Sequence, residues 1–230
     1  MRSVTQIVDQ LLAHTPYLEE ALAAGLLNLS ALARRLQPAV EATLGKRVTR
    51  AAVLMALRRR SGRLPELRHG VGAVLRGIRE VAVRGELVEF TLPARTFGAA
   101  ARTRLLEVVS ARSPAFLAVT QGIGETTVIV DATAAETLAR ELGELPSVGR
   151  IEGLSALTVR LPEQAVQVPG VHYTLLKQLA WVGVNVVEVI STFTELTIVL
   201  AEADVERAFA ALQGLLRAAR RREAPAAPVT

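Results

Sequence analysis

Pro169-Gly170-Val171-His172 is the segment of this chain best suited to hold a small ligand. A Pro-Gly turn that delivers the backbone into a helix leaves the first helical N–H groups without intrahelical partners. Such groups favour an anion, for instance a carboxylate. Asn185-Val186 follows at the start of a predicted strand, where the Asn185 amide offers both a donor and acceptors. An amino acid, carrying a carboxylate and an ammonium, needs both kinds of partner. The same residues also fit a plain turn and a capped strand edge. His172 fits a ligand contact or a solvated position equally.

The remaining chemistry is sparse. Cysteine is absent, which rules out disulfides, zinc–thiolate sites and thiol nucleophiles. His14 and His69 stand far from obvious carboxylate partners. Ser191 and Thr192 have no His–Asp constellation near them in sequence, so a hydrolase triad has no support. The single turn Gly122-Ile123-Gly124-Glu125 is too short for a phosphate-binding glycine loop. With no catalytic set, no metal-ligand set and no cofactor motif, the chain reads as non-enzymatic.

Basic side chains suggest a different partner. The chain carries 27 Lys/Arg against 22 Asp/Glu, a net of +5. Residues 1–80 hold 13 of the former and 6 of the latter, so the excess belongs to the N-terminal part, with a short run at Arg220-Arg221-Arg222. Arg47, Arg50, Arg58, Arg59 and Arg60 cluster around one predicted helix and could meet phosphates. An Arg-rich solvated surface is the alternative. No apolar run reaches the roughly 18 residues of a membrane span, and the N-terminus lacks a signal-peptide layout. These features point to a cytoplasmic protein.

The elements that must position these residues come in two styles. Residues 3–60 have helical periodicity: a first helix closed at Pro16, a second over Tyr17–Ala24, a third over Leu29–Leu36 with a turn or two beyond Pro38, and a fourth over Arg50–Arg60 ended by Ser61-Gly62. Pro65–Ile78 reads as a weak connector helix. From Glu80 the period changes to strands at Glu80–Val83 and Leu87–Leu92 around a candidate Arg84-Gly85 turn. A helix follows over Thr96–Arg112, then strands over Ala115–Gln121 and Thr126–Val130, and a helix opened by a capping box at Thr133 and Glu136.

The stretch Val119–Val130 (VTQGIGETTVIV) matches Val189–Leu200 (VISTFTELTIVL) with a constant offset of seventy. Leu105-Leu106 falls on Leu175-Leu176 in the same frame. A repeat of this kind means one small α/β unit built twice. After an extended stretch at Val148–Leu161, the second copy predicts a helix over Val171–Val182, strands over Val184–Ile190 and Leu196–Leu200, and a helix from Asp204 to about Arg222. Each copy has the split βαβ plan of a ferredoxin-like module. The second lacks a fourth strand, and Glu80–Val83 is the segment available to supply it by crossing over.

Residues 156–212 resemble an ACT domain, most of all the tandem pair at the C-terminus of aspartokinases. The resemblance rests on the Pro169-Gly170-Val171 turn into a helix, Gly183-Val184-Asn185-Val186 before the second strand, and Ser191-Thr192 at its end. It is weaker for 87–142, where Ala94-Arg95-Thr96-Phe97 replaces the Pro-Gly turn and Ala115 replaces Asn185. It does not extend to a kinase domain. Leu29–Leu36 and Val48–Arg60 resemble the two helices of a helix-turn-helix, although Ala51–Leu57 is apolar nearly all round.

The expected architecture is therefore α+β, with a helix-turn-helix-like N-terminal domain followed by two interlocked ferredoxin-like βαββαβ modules. The expected boundaries are 1–62 for the basic helical domain, 63–79 for a connector, 80–153 and 154–222 for the modules, and 223–230 for a disordered tail. The resemblance implies allosteric regulation through an amino acid or similar metabolite held by Pro169, Gly170, Val171, His172, Asn185 and Val186. It also implies a dimer. Two roles remain open: a DNA-binding transcription regulator, or a stand-alone subunit docking on an amino-acid biosynthetic enzyme such as an aspartokinase.

Overall fold

A computed structural model describes residues 2–15, 18, 21–22, 24–111, 115–142 and 149–221. Pro16, half of Tyr17–Ala24, Arg222 and the tail lie outside these, as does the side chain of His69. The chain forms two compact units, Met1–Gly72 and Ala73–Thr230.

The first unit is helical. Helix α1 (Val4–Ala13) opens with a capping box in which Ser3 Oγ accepts from the Gln6 amide while Gln6 Oε1 accepts from the Ser3 amide. Helix α2 (Leu29–Leu44) begins at Asn28, whose Oδ1 accepts from the Ala31 amide, and ends at Gly45 in the left-handed region. Helix α3 spans Arg50–Gly77. Two expected breaks are absent: α2 runs through Pro38, and α3 runs through Ser61-Gly62 and Pro65. Apolar faces account for the continuity of α2, since Leu32, Ala33 and Val40, on both sides of Pro38, are buried with Ile7, Leu12 and Leu57. Each such large side chain contributes about 1.5–3 kcal/mol by leaving water. That outweighs the loss of one backbone hydrogen bond.

The second unit is built on one six-stranded antiparallel sheet in the order β2-β3-β1-β4-β6-β5. Its strands are β1 (Val81–Pro93), β2 (Leu117–Gln121), β3 (Glu125–Asp131), β4 (Gly149–Arg160), β5 (Glu188–Ser191) and β6 (Glu195–Ala201). Helices α4 (Ala99–Ser110), α5 (Ala132–Leu142), α6 (Val171–Trp181) and α7 (Val205–Arg221) connect or follow them. A short 3-10 turn, Glu163–Gln167, was not legible in the sequence pattern.

β1 and β4 each serve both halves of the sheet. Leu87–Pro93 pairs with β3, whereas Val81–Arg84 pairs with Ala156–Val159, whose far edge carries β6. The expected Arg84-Gly85 turn is instead a bulge. The register shifts between Arg84 and Leu87, and Glu86 adopts φ 55°. A turn there is overturned because both segments have partners along one continuous strand. A second irregularity in β4 coincides with Gly153 at φ 65°.

One face of the first half packs on helices: Val88, Leu92, Val128 and Val130 meet Leu105 and Val108 of α4 and Ala134 and Leu138 of α5. Helix α5 starts at Ala132, so Thr133 lies inside the helix rather than at its N-cap. In the second half Leu175 and Leu179 of α6, and Ala208, Leu212 and Leu216 of α7, are buried at helical spacing. The opposite face is also buried. Leu87, Ile129, Leu154, Ala156 and Val199 form a cluster onto which Ala118 of β2 and Ile190 of β5 both pack. Ala118 is the register partner of Ile129 and Ile190 lies on β5 diagonal to Val199, so the two outermost strands extend this cluster across the sheet face. The bulges at Glu86 and Gly153 are where its two long strands can bend.

Candidate ligand site

Gly170 stands at the N-cap of α6 with φ 88° and ψ 0°, a conformation that suits glycine. No side chain caps this end. Val171 is 1% exposed and anchors the first turn in the core, while Pro169 and Gly170 are exposed. The Thr174 amide and hydroxyl both donate to the Gly170 carbonyl, at 3.0 and 2.8 Å. Thr174 thus ties the Gly170 carbonyl down beside the buried Val171 anchor.

His172 projects from the same turn, exposed, and its Nε2 lies 3.4 Å from Ser191 Oγ at the end of β5. Ser191 has no histidine beside it in sequence; the fold supplies one from nineteen residues away. Catalysis does not follow. Ser191 Oγ also donates to the Thr192 carbonyl at 3.3 Å, and among the described residues no carboxylate orients the imidazole. The pair is suited to binding a polar group rather than to activating a nucleophile.

Asn185 and Val186 are elsewhere. Gly183 at φ 71° and the Val184 amide bonding to the Leu179 carbonyl close the C-terminal end of α6. Eleven helical residues separate that end from Gly170, a distance of about 16 Å at 1.5 Å per residue. Asn185 is exposed and Val186 half-buried at this far end. Within one chain the fold brings together Pro169, Gly170, Val171, His172 and Ser191, and leaves Asn185 and Val186 apart.

The five N-terminal arginines also divide. Arg47, Arg50 and Arg58 are exposed. Arg59 donates to Thr5 Oγ1 at 3.2 Å, and Arg60 lies 3.8 Å from Asp9, so both are turned to α1. Arg50 and Arg58 stand about 12 Å apart along α3. Between them the exposed positions are apolar Ala51 and Met55, with Met55 50% exposed. The Gly45–Thr49 turn is clamped by Gln37 and Glu41, which bond the Val48 carbonyl and amide, and it borders an open depression of about 470 Å³ that includes Arg47.

One buried charge escaped the sequence reading. Glu89 of β1 is 4% exposed, and its Oε2 has no hydrogen-bond partner. Burial pushes its carboxyl above the usual range and Glu188 pushes it further, against a weak opposing bond from Thr91. The signal was available: Leu87, Glu89 and Thr91 alternate onto one face, with a carboxylate between neighbours that point inward. On that face Arg84 and Asp131 are paired at 2.8 Å, and Asp131 also accepts from the Phe116 amide.

No family profile matches the chain, and no curated protein matches its sequence. Similar solved structures include the aspartate kinase of Clostridium acetobutylicum, at 9% identity and TM-score 0.48 over 60% of this chain and 34% of the kinase. The ligand-free regulatory subunit of aspartate kinase from Thermus thermophilus gives 15% identity and TM-score 0.46 over 60% of this chain and 97% of the subunit. Aspartokinase III of E. coli, in complex with lysine and aspartate, gives 18% and 0.46 over 60% of this chain and 33% of the enzyme. The chain therefore spans about a third of the whole kinases it resembles.

Proposed function

We propose that this chain is a non-enzymatic regulatory protein that senses an amino acid through ferredoxin-like, ACT-type modules interlocked by β1 and β4. The observation that carries the reading is the uncapped N-terminus of α6 with the His172–Ser191 pair beside it. The amides of that turn suit a carboxylate, and the imidazole and hydroxyl suit the remaining polar groups of the ligand. A binding role of this kind requires no catalytic group.

Dimerisation completes the site in this reading. β5 is a four-residue edge strand with Val189 43% exposed, and an uncovered edge is a template for pairing. Antiparallel pairing of β5 with its symmetry mate would bring Asn185 of the partner subunit toward the Gly170–Ser191 end, adding a side-chain amide to the backbone N–H groups of the turn. Sedimentation velocity at high micromolar concentration tests this; a monomer with full ligand affinity would refute it.

A thermal-shift screen against the twenty amino acids tests the function. A ligand at 100-fold its Kd adds about 2.7 kcal/mol of stability, and a flat response to all twenty would refute the reading. The output of the sensor is a second question. Exposed Arg47, Arg50 and Arg58 favour a polyanion such as DNA, contacted through phosphates, since Ala51 and Met55 offer no hydrogen bonds to base edges. Docking on an amino-acid biosynthetic enzyme is the alternative, and steep weakening of DNA binding by salt would decide for the first.

A further inference from the structure

The basic run Arg220-Arg221 closes α7. The fold joins it to the end of α3, where Arg220 Nη2 donates to the Ile78 carbonyl at 2.7 Å. Two helix C-termini therefore meet within the second unit. Val74, Leu75 and Ile78 are buried there, and a Cβ added to Gly77 would fall 3.1 Å from Pro162 Cγ, so the end of α3 is closely seated.

Six arginines surround this junction: Arg76 and Arg79 at the end of α3, Arg160 at the end of β4, and Arg217, Arg220 and Arg221 on α7. All but Arg76 are exposed. Arg160 belongs to the group because its amide donates to the carbonyl of Glu80, the residue after Arg79. Against them stand two exposed glutamates, Glu80, whose carboxylate lies 3.6 Å from Arg160, and Glu163, which follows Pro162. Each helix C-terminus presents roughly half a negative charge. Six arginines against two glutamates leave a positive surplus several times larger than the two ends require.

Arg217 and Arg221, four residues apart, share one face of α7. Between them Ala218 is the uncharged residue that is exposed. A protein interface draws its energy from desolvated aromatic or aliphatic anchors, and an alanine supplies none. The phosphate backbone is bound through charge, and the guanidinium fork matches its oxygens. We propose that this junction is a second DNA-binding surface, which grips the phosphate backbone of the double helix through Arg79, Arg217 and Arg221. The inference rests on the DNA output read from Arg47, Arg50 and Arg58, and it places a further contact in the unit that carries the Gly170 turn.

Fluorescence anisotropy of a duplex of arbitrary sequence, titrated with the full chain between roughly 50 and 200 mM salt, tests it. Arg79→Ala, Arg217→Ala and Arg221→Ala combined are expected to weaken binding and to flatten the log–log salt slope by about 0.9 per lost contact. Lysine at the same three positions keeps the charge and is expected to restore the slope. An alanine variant with the wild-type slope, when neutralising Arg47, Arg50 and Arg58 does flatten it, would overturn this surface and leave the DNA reading standing. Failure of the lysine variant to restore the slope would also overturn it, since the loss would then be structural. Absence of DNA binding by wild type would overturn both and turn the six arginines to an acidic protein partner.

Discussion

Glu89→Gln should stabilise this protein at neutral and alkaline pH. Glu89 is 4% exposed, Oε2 has no partner, and Oε1 has only Thr91 Oγ1 at 3.5 Å. Burial and the neighbouring Glu188 both raise its pKa above the ordinary carboxylate value. The folded state therefore holds the proton more tightly than the unfolded chain. The stability linked to Glu89 is fully present below the unfolded pKa and lost as pH rises through the higher folded value. Once ionised, an unsatisfied buried group costs on the order of 1–3 kcal/mol. Glutamine keeps the shape and removes the charge, so most of that cost should be recovered. In a unit of this size each kcal/mol moves Tm by about 2–4 °C. Thermal unfolding followed by circular dichroism from pH 4 to 9 should show Glu89→Gln gaining on wild type as pH rises, with the two converging in acid. A gain independent of pH, or a loss at pH 8, would refute the argument.

Three further outcomes follow. Gly170→Ala should destabilise by about 1 kcal/mol, because φ 88° disfavours a Cβ, and should weaken amino-acid binding; unchanged unfolding and affinity would contradict the role given to the turn. Asp131→Ala should cost about 2–3 kcal/mol by breaking both the Arg84 pair and the Phe116 amide bond, as read by urea denaturation. Neutralising Arg47, Arg50 and Arg58 together should lower DNA affinity for unrelated sequences alike and flatten the salt slope by about 0.9 per lost contact; absence of DNA binding by wild type at low salt would turn the account to a protein partner.

What could be read from sequence was whatever local periodicity or counting controls. The repeat located the strands and helices of the second unit, and the lack of a fourth strand after α7 pointed to Glu80–Val83, which pairs along Ala156–Val159. Local breakers misled. Arg84-Gly85 resembles a turn, yet long-range pairing on both sides keeps β1 continuous. Pro38 and Ser61-Gly62 resemble breaks, yet both helices run through them, α2 with buried Leu32, Ala33 and Val40 on either side of its proline. The Gly170 turn was legible because a Pro-Gly pair acts locally. The separation of Asn185 from it was hidden, because proximity in sequence conceals the length of the helix between them. The His172–Ser191 contact arises only when the sheet assembles, so spacing alone could not reveal it.

The central claim is that an amino acid binds at the start of α6. Amide chemical-shift mapping of the full chain, with the stabilising amino acid added, tests it most directly. The account predicts the largest shifts at Gly170, Val171 and His172, with Ser191 following, and a roughly ten-fold loss of affinity in His172→Ala, about 1.4 kcal/mol. Saturable binding that leaves those amides unmoved, or that is indifferent to His172→Ala, would contradict it.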